Sequence, residues 1–522
     1  MKTLIAFLFF FLTAVLACNR EQSRTRENQK KEIHYESSWE SLKQHKTPEW
    51  LINAKFGIYA HWGLYSVPAY GNEWYGRRMY EEDSDIHKHH VATYGDPSEF
   101  GNKDFVPLFK AERYDPDEWA EIIEASGARY AGFALVHHDG YCLWDSDHTR
   151  WNSMDTGPKR DLYGELVQSL RKIEGMRVIA TFHHIRTFNW YLPYKLNFYE
   201  PIDYDLRQEY LTKKWDIFDP EYADLYWNQE TGQEKEFIKE WNSKVTEVIE
   251  KYQPDVIWFD GGQFQDSINE IMVMDLLSHY YNKEAEWDKD VEILNKLPVS
   301  MKFNFPEAVG MKTFEEGRDR EGVVSGTWID DMKISHNSWG YIEGQTYKDP
   351  NVIIDGLVDR VSRGGGLVIS LCPKADGTIS QEQKDVLTEI GGWLKINGDA
   401  IYGTRKWKIN AEGNEEKLVT KGVHPKWVFD LCDGNDIRFT KKDDALYAIV
   451  LGVPDTKEIV IKSLGTAAII STKGIRKISL LGSDEKIKWE RNDTNLTIQA
   501  PSLIPSDYAL AFKLELKGEW VE

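Results

Sequence analysis

Short apolar runs alternate with amphipathic segments between residue 50 and about residue 395. The runs predict buried strands, and they lie at residues 55–61, 128–138, 177–184, 254–260, 300–305, 322–330 and 366–371. Segments with apolar residues at helical spacing lie between several of them, at residues 116–126, 161–173 and 237–252. Strands that alternate with helices are typical of parallel βα units, so the pattern predicts an α/β fold.

The pattern changes at two places within this region and again after it. Residues 78–109 and 191–233 lack it, and we expect long loop insertions there. After Trp407 the chain shows short alternating strands, predicted at residues 445–451, 458–461, 475–481, 486–489, 495–498 and 508–516. Closely spaced short strands of this kind predict a separate antiparallel β-sandwich.

The first 39 residues predict an export signal and a tether. Lys2 precedes an apolar run over residues 4–17, which is short for a membrane span, and Cys18 follows it. The end Val-Leu-Ala-Cys resembles a bacterial lipoprotein signal, in which Cys18 becomes the lipidated N-terminus. We therefore expect a signal peptide over residues 1–18, a polar tether over 19–39, and a bacterial lipoprotein in the periplasm or at the outer membrane or cell surface. Secretion without a lipid anchor is the alternative, because Leu16 is an unusual residue at its position in a lipoprotein signal.

Composition narrows the classes of function. The net charge of −21 argues against nucleic acid, whose affinity comes from Lys and Arg on phosphates. The 20 Trp residues suit sugar rings, although they also fill cores. The four Cys residues form no CxxC pair, so a Cys-based zinc site is not expected. Cys142 and Cys372 lie in apolar runs and are predicted to be buried thiols.

The run at residues 254–262, PDVIWFDGG, stops at a carboxylate and two glycines. Val256, Ile257, Trp258 and Phe259 supply apolar groups to both faces of a strand, which a buried parallel strand requires. Asp260 then lies at the carboxyl end of the strand, where βα barrels carry their catalytic groups. The alternative is that Asp260 only caps the following helix.

Other strands in the first half also end in groups that can carry chemistry. The groups are His61, His137, His138, His183, His184 and Asp260. They fit either a metal site, as in barrel hydrolases, or hydrogen-bond partners for sugar hydroxyls around a nucleophilic Asp260. Neighbouring residues of a strand point to opposite faces, so each His-His pair should place one ring in the site, which weakens the metal interpretation. Nearby aromatic residues favour a sugar; they are Trp62, Trp74, Trp144, Trp190 and Trp258.

Several of these stretches together resemble the retaining α-L-fucosidases of glycoside hydrolase family 29. The matching text comprises Pro48-Glu49-Trp50, KFGIYAHWGLYSVPAYGNEWY (55–75), HHDGYCLWDSDHTRWN (137–152), RDLYGELV (160–167), PDVIWFDGG (254–262), NSWGY (337–341) and residues 363–407. The resemblance covers about residues 40–410. It implies a catalytic (β/α)8-like barrel of the TIM type over residues 40–407, followed by a β-sandwich over 408–522.

The resemblance also implies roles for single residues. Asp260 falls on the nucleophile of a double displacement. Positions that line the sugar pocket are matched by His61, Glu73, Trp74, His137, His138 and Trp258. His183 or His184 stands where many members carry Tyr, and we expect His183 to contact substrate. No cofactor and no metal are expected for this hydrolysis.

The acid/base residue is where the sequence departs from the family. Many members carry Glu in a Trp-Glu motif shortly before the SWGY-like text, but here Trp328 is followed by Ile329, Asp330 and Asp331. We predict Asp330 as the acid/base, with Asp331 and Glu316 in reserve and Glu315 in the same neighbouring loop. The alternative is that Asp330 and Asp331 only form structural hydrogen bonds.

The sequence therefore predicts an exo-acting retaining glycoside hydrolase. It would remove terminal α-L-fucosyl residues from an oligosaccharide or polysaccharide, with contact to a membrane only through its lipid anchor. One alternative is an α-L-galactosidase acting on algal polysaccharide, because a pocket rejects one added hydroxyl only weakly. Another is a carbohydrate-binding lipoprotein with weakened catalysis, which the missing Glu suggests.

Overall fold

The computed structural model describes residues 33–193, 204–232, 234–260, 270–296, 306, 308–316, 326–413, 432–454, 456, 458–468, 471 and 474–518. Cys18, the signal peptide, the start of the tether and the strand expected at 300–305 lie outside the described residues. In the described part, no helix is long and apolar enough to cross a membrane.

Eight parallel strands form a closed barrel. They are β1 (Phe56–Ala60), β2 (Tyr130–Val136), β3 (Arg177–Phe182), β4 (Val256–Phe259), β5 (Glu292–Lys296), β6 (Met311–Glu315), β7 (Trp328–Lys333) and β8 (Gly365–Leu371). They are ordered β1 to β8 around the barrel, and β1 closes it against β8 with Phe56 opposite Leu367. Both faces of β2 and β8 are buried over their whole length, as their long apolar runs require. The predicted TIM-type barrel is confirmed.

Helices surround the barrel and fill its connections. They are α1 (Trp39–Leu42), α2 (Glu49–Ala54), α3 (Tyr75–Arg78), α4 (Asp85–Tyr94), α5 (Pro116–Ala125), α6 (Leu162–Leu170), α7 (Tyr204–Thr212), α8 (Ala223–Tyr226), α9 (Glu234–Tyr252), α10 (Glu270–Trp287), α11 (Pro350–Ser362) and α12 (Gln381–Asn397). Shorter 3₁₀ turns lie at Leu64–Ser66, Asn102–Leu108, His184–Arg186, Asp216–Phe218, Pro220–Tyr222, Gly398–Ala400 and Lys462–Leu464. Asp161 caps α6 by accepting from the Gly164 amide, as its sequence position suggested.

The two predicted loop insertions contain regular structure, which corrects that expectation. The first holds α4, and the second holds α7 and α8. These short helices bury only some of their side chains, among them Tyr210 in α7 and Leu225 and Tyr226 in α8. In α4, Ile86 and His90 are buried, while the charged residues face outward.

The C-terminal strands form two antiparallel sheets around a core of their own. They are β9 (Arg405–Glu412), β10 (Ile437–Lys442), β11 (Ala445–Val450), β12 (Glu458–Ile461), β13 (Ile475–Leu480), β14 (Trp489–Arg491), β15 (Leu496–Gln499) and β16 (Leu510–Leu516). One sheet has the order β13-β16-β11-β10-β9 and the other β12-β15-β14. Residues of both, including Phe439, Phe512, Ile461 and Ile498, share one apolar cluster. The predicted antiparallel sandwich is confirmed, although β9 and β10 were not foreseen.

Helix α11 connects the barrel to the sandwich through two adjacent charged residues. Asp359 accepts a hydrogen bond of 2.6 Å from Arg438 Nε on β10. Arg360 donates through Nε, also at 2.6 Å, to Asp330 on β7. All four side chains are buried. Such ion pairs are costly to break from one side, because the remaining charge loses its partner inside the protein.

The cysteines agree with the sequence-based expectation. Cys142 and Cys372 are buried thiols in no disulfide, and Cys432 is a partly buried free thiol. Burial raises the pKa of the Cys142 and Cys372 thiols to about 12, so both stay protonated near neutral pH. They contribute to packing as small apolar groups.

Candidate active site

Three histidines converge where β1, β2 and β3 end. His61, His137 and His183 each follow the last residue of their strand, and all three are buried. The ring centroids of His61 and His137 lie 5.6 Å apart, those of His61 and His183 5.1 Å, and those of His137 and His183 4.9 Å. Burial lowers the pKa of His61 and of His137 well below the ordinary value, so both rings are neutral at pH 7.

The two His-His pairs behave differently. His184 points away, with its ring 6.2 Å from that of Trp241 on α9. His138 stays in the site; both pairs follow the ends of their strands, at Val136 and Phe182, so strand alternation determines neither. Its ring centroid is 4.4 Å from that of His137, and its Nδ1 lies 2.8 Å from the carbonyl oxygen of His183. The expectation of one ring from each pair therefore holds for the second pair and is wrong for the first.

Asp260 follows β4 and lies between a lysine and a histidine. Lys296 Nζ is 2.6 Å from its Oδ1, and His183 Nε2 is 3.2 Å from its Oδ2. Burial alone would raise the pKa of Asp260, but the charge of Lys296 and the His183 ring outweigh it and hold that pKa well below its usual range. Asp260 is therefore ionised at all ordinary pH values. An ionised carboxylate in this position can act as a nucleophile.

Lys296, the last residue of β5, was missed by sequence reasoning. Its Nζ also lies 2.9 Å from Oε2 of Glu315, the last residue of β6. The oxygens of Asp260 and Glu315 can thus be no farther apart than the sum of their two distances to Nζ. That limit agrees with the separation of about 5–5.5 Å between the carboxyl groups of retaining glycosidases.

Asp330 does not lie in the site, and the preference for it as acid/base is corrected. Neighbouring strand residues face opposite sides, and Asp330 takes the outer face of β7, where Arg360 binds it. It is fully buried away from the histidines. Ile329, the other residue aligned with the family's Glu, packs in the apolar interior of the barrel.

Asp331 takes the inner face of β7 but lies below the mouth of the site. It accepts a 3.0 Å hydrogen bond from the Tyr59 hydroxyl, and its Oδ2 is 4.0 Å from Lys296 Nζ. Burial raises the pKa of Asp331 well above its usual range, and the charges of Glu315 and Asp260 add to this. Asp331 is therefore protonated near neutral pH, but only 1% of it is exposed.

Glu316 lies directly after β6 and is held by two lysines. Lys333 Nζ is 2.9 Å from Oε1 and 3.0 Å from Oε2, and Lys348 Nζ is 3.5 Å from Oε1. Its backbone has a φ of 47°, a left-handed value that is uncommon for a residue with a side chain. By contrast, 23% of the Glu315 side chain is exposed, so Glu315 can reach a leaving group at the mouth of the site.

Glu73 forms the opposite wall. Its Oε2 accepts 3.1 Å hydrogen bonds from the Ser338 hydroxyl and from the Trp339 amide. Burial raises the pKa of Glu73 despite these hydrogen bonds. The Trp339 ring lies 5.1 Å from that of His61 and is partly exposed, which places an aromatic face beside the histidines.

The tryptophans noted from the sequence divide into two groups. Trp74 and Trp190 adjoin the site, with ring centroids 5.6 Å and 5.8 Å from that of His138. The others are core residues: Trp62 packs against Phe109, Trp119 and Phe133, and Trp144 donates to Glu247. Trp258 lies inside the barrel, two residues before Asp260 and 5.2 Å from the Tyr59 ring, so it supports the floor of the site.

The same histidines form a group that could hold a metal ion. One ring nitrogen from each of His61, His137 and His183 lies within 4.8 Å of the others. No metal is required for the carboxylate pair of Asp260 and Glu315 to act. Both a sugar and an ion therefore fit the donors present.

Comparisons with known proteins support the family indicated by the motifs. The family model described as alpha-L-fucosidase matches residues 22–399, and that of the alpha-L-fucosidase C-terminal domain matches residues 433–517. An alpha-L-fucosidase of Branchiostoma floridae is 29% identical, covering 92% of this chain and 96% of that protein. A plasma alpha-L-fucosidase of Pongo abelii is 30% identical, covering 90% and 89%. The crystal structure of the Thermotoga maritima alpha-fucosidase in complex with fucose is 29% identical, with a TM-score of 0.70, and covers 92% and 100%.

Proposed function

The chain belongs to the α-L-fucosidase family and is a glycoside hydrolase that releases terminal α-L-fucosyl residues from glycans, and we propose that Asp260 and Glu315 carry out its two chemical steps. An Asp260 oxygen attacks C1 of the fucosyl residue while Glu315 gives its proton to the departing glycosidic oxygen. Water then attacks C1 of the glycosyl ester, Glu315 takes the proton of that water, and the Asp260 carboxylate is released. Configuration at C1 is retained because two displacements occur.

The observation that carries this assignment is the shared contact to Lys296. It keeps Asp260 Oδ1 and Glu315 Oε2 closer together than the carboxyl groups of inverting glycosidases, which are about 6.5–9.5 Å apart, and this supports a retaining pair. Glu315 is also partly exposed, as an acid that meets a leaving sugar has to be. The residues proposed to bind the fucosyl ring are His61, His137, His138, His183, Glu73, Trp74 and Trp339.

Neutral imidazoles suit this binding role. A neutral ring can donate from one nitrogen and accept at the other, so it matches a hydroxyl that does the same. His137 Nδ1 and His183 Nδ1 are buried and have no hydrogen bond among the described residues. Buried polar atoms of this kind need a partner, and sugar hydroxyls would supply it.

The two alternative functions are not favoured. The family matches name α-L-fucosidases over nearly the whole chain, which gives no support to an α-L-galactosidase. A protein that only binds carbohydrate has no need of an ionised Asp260 facing a second carboxylate. The structure brings both groups together, although the Trp-Glu motif is missing.

The proposed acid/base can be tested by conservative substitutions. We expect Glu315→Gln to lower kcat/KM for fucosylated oligosaccharides by about 10²–10⁴-fold, the usual range for proton transfer. The loss should be much smaller for an aryl fucoside with a good leaving group, which needs little acid help. Asp330→Asn, assayed per folded molecule, is the matched control and should show no such difference between substrates.

The possible outcomes distinguish Glu315 from the other carboxylates that could act as the acid/base. If Glu316→Gln shows the substrate-dependent loss and Glu315→Gln does not, the acid/base is Glu316. If Asp331→Asn alone shows it, the acid comes from the floor of the site. Asp260→Asn should remove hydrolysis of both kinds of substrate, by about three orders of magnitude or more, because it removes the nucleophile.

We also propose export and lipidation at Cys18. The apolar segment before Cys18 and the polar segment after it support this proposal. A Cys18→Ala variant expressed in a Gram-negative host should move from the membrane fraction to a soluble fraction. Membrane retention of that variant would count against a lipid anchor.

A further inference from the structure

Three imidazoles from adjacent strands face one small volume. His61, His137 and His183 follow β1, β2 and β3, and one ring nitrogen of each lies within 4.8 Å of the other two. The backbone holds two of them directly, because His61 donates its amide to Leu371 and His183 donates its amide to Val136. The cluster is therefore built on the rigid barrel.

The orientation of the rings leaves nitrogens directed into the cluster. His61 Nδ1 lies 2.8 Å from Ser370 Oγ, which leaves its Nε2 for another partner. Among the described residues, His137 Nδ1 and His183 Nδ1 make no hydrogen bond, whereas His183 Nε2 lies 3.2 Å from Asp260 Oδ2. Metal-binding histidines commonly hydrogen-bond through the second nitrogen, as His61 does here.

Asp260 lies beside the three histidines but is not part of their group. Its Oδ2 is 3.2 Å from His183 Nε2. Lys296 contacts the other oxygen, Oδ1, so Oδ2 remains directed toward the histidines. The nearby ammonium group repels a cation, and we expect weaker binding than in a closed structural zinc site.

We propose that His61, His137 and His183 bind a transition-metal ion such as zinc or copper(II), and that the ion competes with the sugar for the active site. Imidazole donors favour zinc and copper over magnesium and calcium, which prefer oxygen. The ion would occupy the nitrogens that the sugar hydroxyls need and would also cover the nucleophile. Only the competition with substrate rests on the proposed function; the binding of the ion does not.

Binding can be measured without an activity assay. The full chain without a polyhistidine tag would be titrated calorimetrically with zinc chloride in a buffer that does not coordinate metals. We expect one saturable zinc site, no heat of binding for magnesium chloride, and a loss of zinc affinity in saturating L-fucose. Absence of zinc binding, or zinc affinity that L-fucose leaves unchanged, would overturn the proposal.

A matched pair of variants locates the site. His183→Gln should weaken zinc binding by about tenfold or more, judged from the 10–100-fold losses seen when the surroundings of a metal ligand are altered. His279→Gln, which removes a surface histidine beside Glu250, should leave zinc affinity unchanged. Equal affinity of His183→Gln and the wild type, with circular dichroism showing both folded, would overturn the assignment.

Kinetics provide a second readout on the unaltered protein. With an aryl fucoside as substrate, zinc should raise KM and leave kcat unchanged, and a chelator should restore the original KM. A fall in kcat at constant KM would place the ion elsewhere. If zinc binds as described but no fucoside is hydrolysed, the metal site stands and the proposed function fails. If fucosides are hydrolysed and zinc does not bind, only the metal site fails.

Discussion

Lys296 favours the ionised form of Asp260, the proposed nucleophile, and its removal should change the pH dependence of the enzyme. Its Nζ contacts Asp260 at 2.6 Å, and the side chains are only 14% and 9% exposed. In Lys296→Met the ammonium group is lost and the volume is largely kept. Asp260 then has His183 as its remaining polar neighbour among the contacts described above.

The size of the effect follows from the burial of the pair. Removing one partner from a buried ion pair costs about 3–5 kcal/mol. At 1.36 kcal/mol per pKa unit, this raises the pKa of Asp260 by about 2–4 units. Asp260 must be ionised to attack, so activity falls as pH drops through its pKa. The depressed pKa puts that loss below the ordinary range in the wild type, and the substitution moves it upward.

The measurement is the pH profile of kcat/KM for 4-nitrophenyl α-L-fucoside, which reports ionisation of the free enzyme. The acidic limb of Lys296→Met should shift up by about two units or more. Lys296→Arg keeps the charge and should keep the limb low. Lys283→Met removes a lysine that pairs with Glu250 and Glu286 on the surface, and it should not move the limb. If the acidic limb of folded Lys296→Met does not move, the conclusion that Lys296 depresses the pKa of Asp260 is refuted.

Two further predictions concern stability. Asp330→Asn removes the carboxylate that pairs with the buried Arg360 and should lower the free energy of unfolding by about 3–5 kcal/mol, while activity per folded molecule is kept. Denaturant titration followed by an activity assay checks both expectations. Asp376→Asn, which removes the surface pair with Arg113, is the control and should lower the free energy of unfolding by less than about 1 kcal/mol. Asp399 accepts from Lys513, Tyr447 and Lys442, and although partial burial opposes its ionisation these hydrogen bonds depress its pKa to about 2. Its stabilising effect is therefore present above the unfolded pKa of about 3.9 and is lost as pH falls toward 2. Asp399→Asn should lower the Tm at pH 7 but not at pH 2, and an equal Tm loss at both pH values would contradict the ionic contribution.

The sequence predicted the site best where strands are purely apolar. A polar residue directly follows each of the first four strands: His61, His137, His183 and Asp260. The sequence revealed these four residues because each continuous apolar run stops at a polar group. β5 and β6 carry charged residues within short strands, so neither was recognised. Lys296 and its bridge to Glu315 were missed for the same reason, because the bridge depends on which side chains two unrecognised strands place side by side.

The prediction of Asp330 as the acid/base was wrong for a different physical reason. A shift of one residue along a strand moves a side chain to the opposite face, so Asp330 and Asp331 cannot be told apart without the register. β7 places Asp331 opposite Glu315 on β6 and turns Asp330 outward to Arg360. The ring of His138 was also beyond prediction from alternation, because that rule applies only while the strand continues.

Helix α11 links the two parts of this enzyme. Asp359 and Arg360 are neighbours in sequence, yet Asp359 is bound by the sandwich and Arg360 binds Asp330, the residue that precedes Asp331 on β7. A shortened gene that ended after the barrel would remove Arg438 from a carboxylate that stays buried. Asp359 would keep Arg363 as a partner but lose its contact to the sandwich, so we expect the barrel alone to be less stable than the full chain.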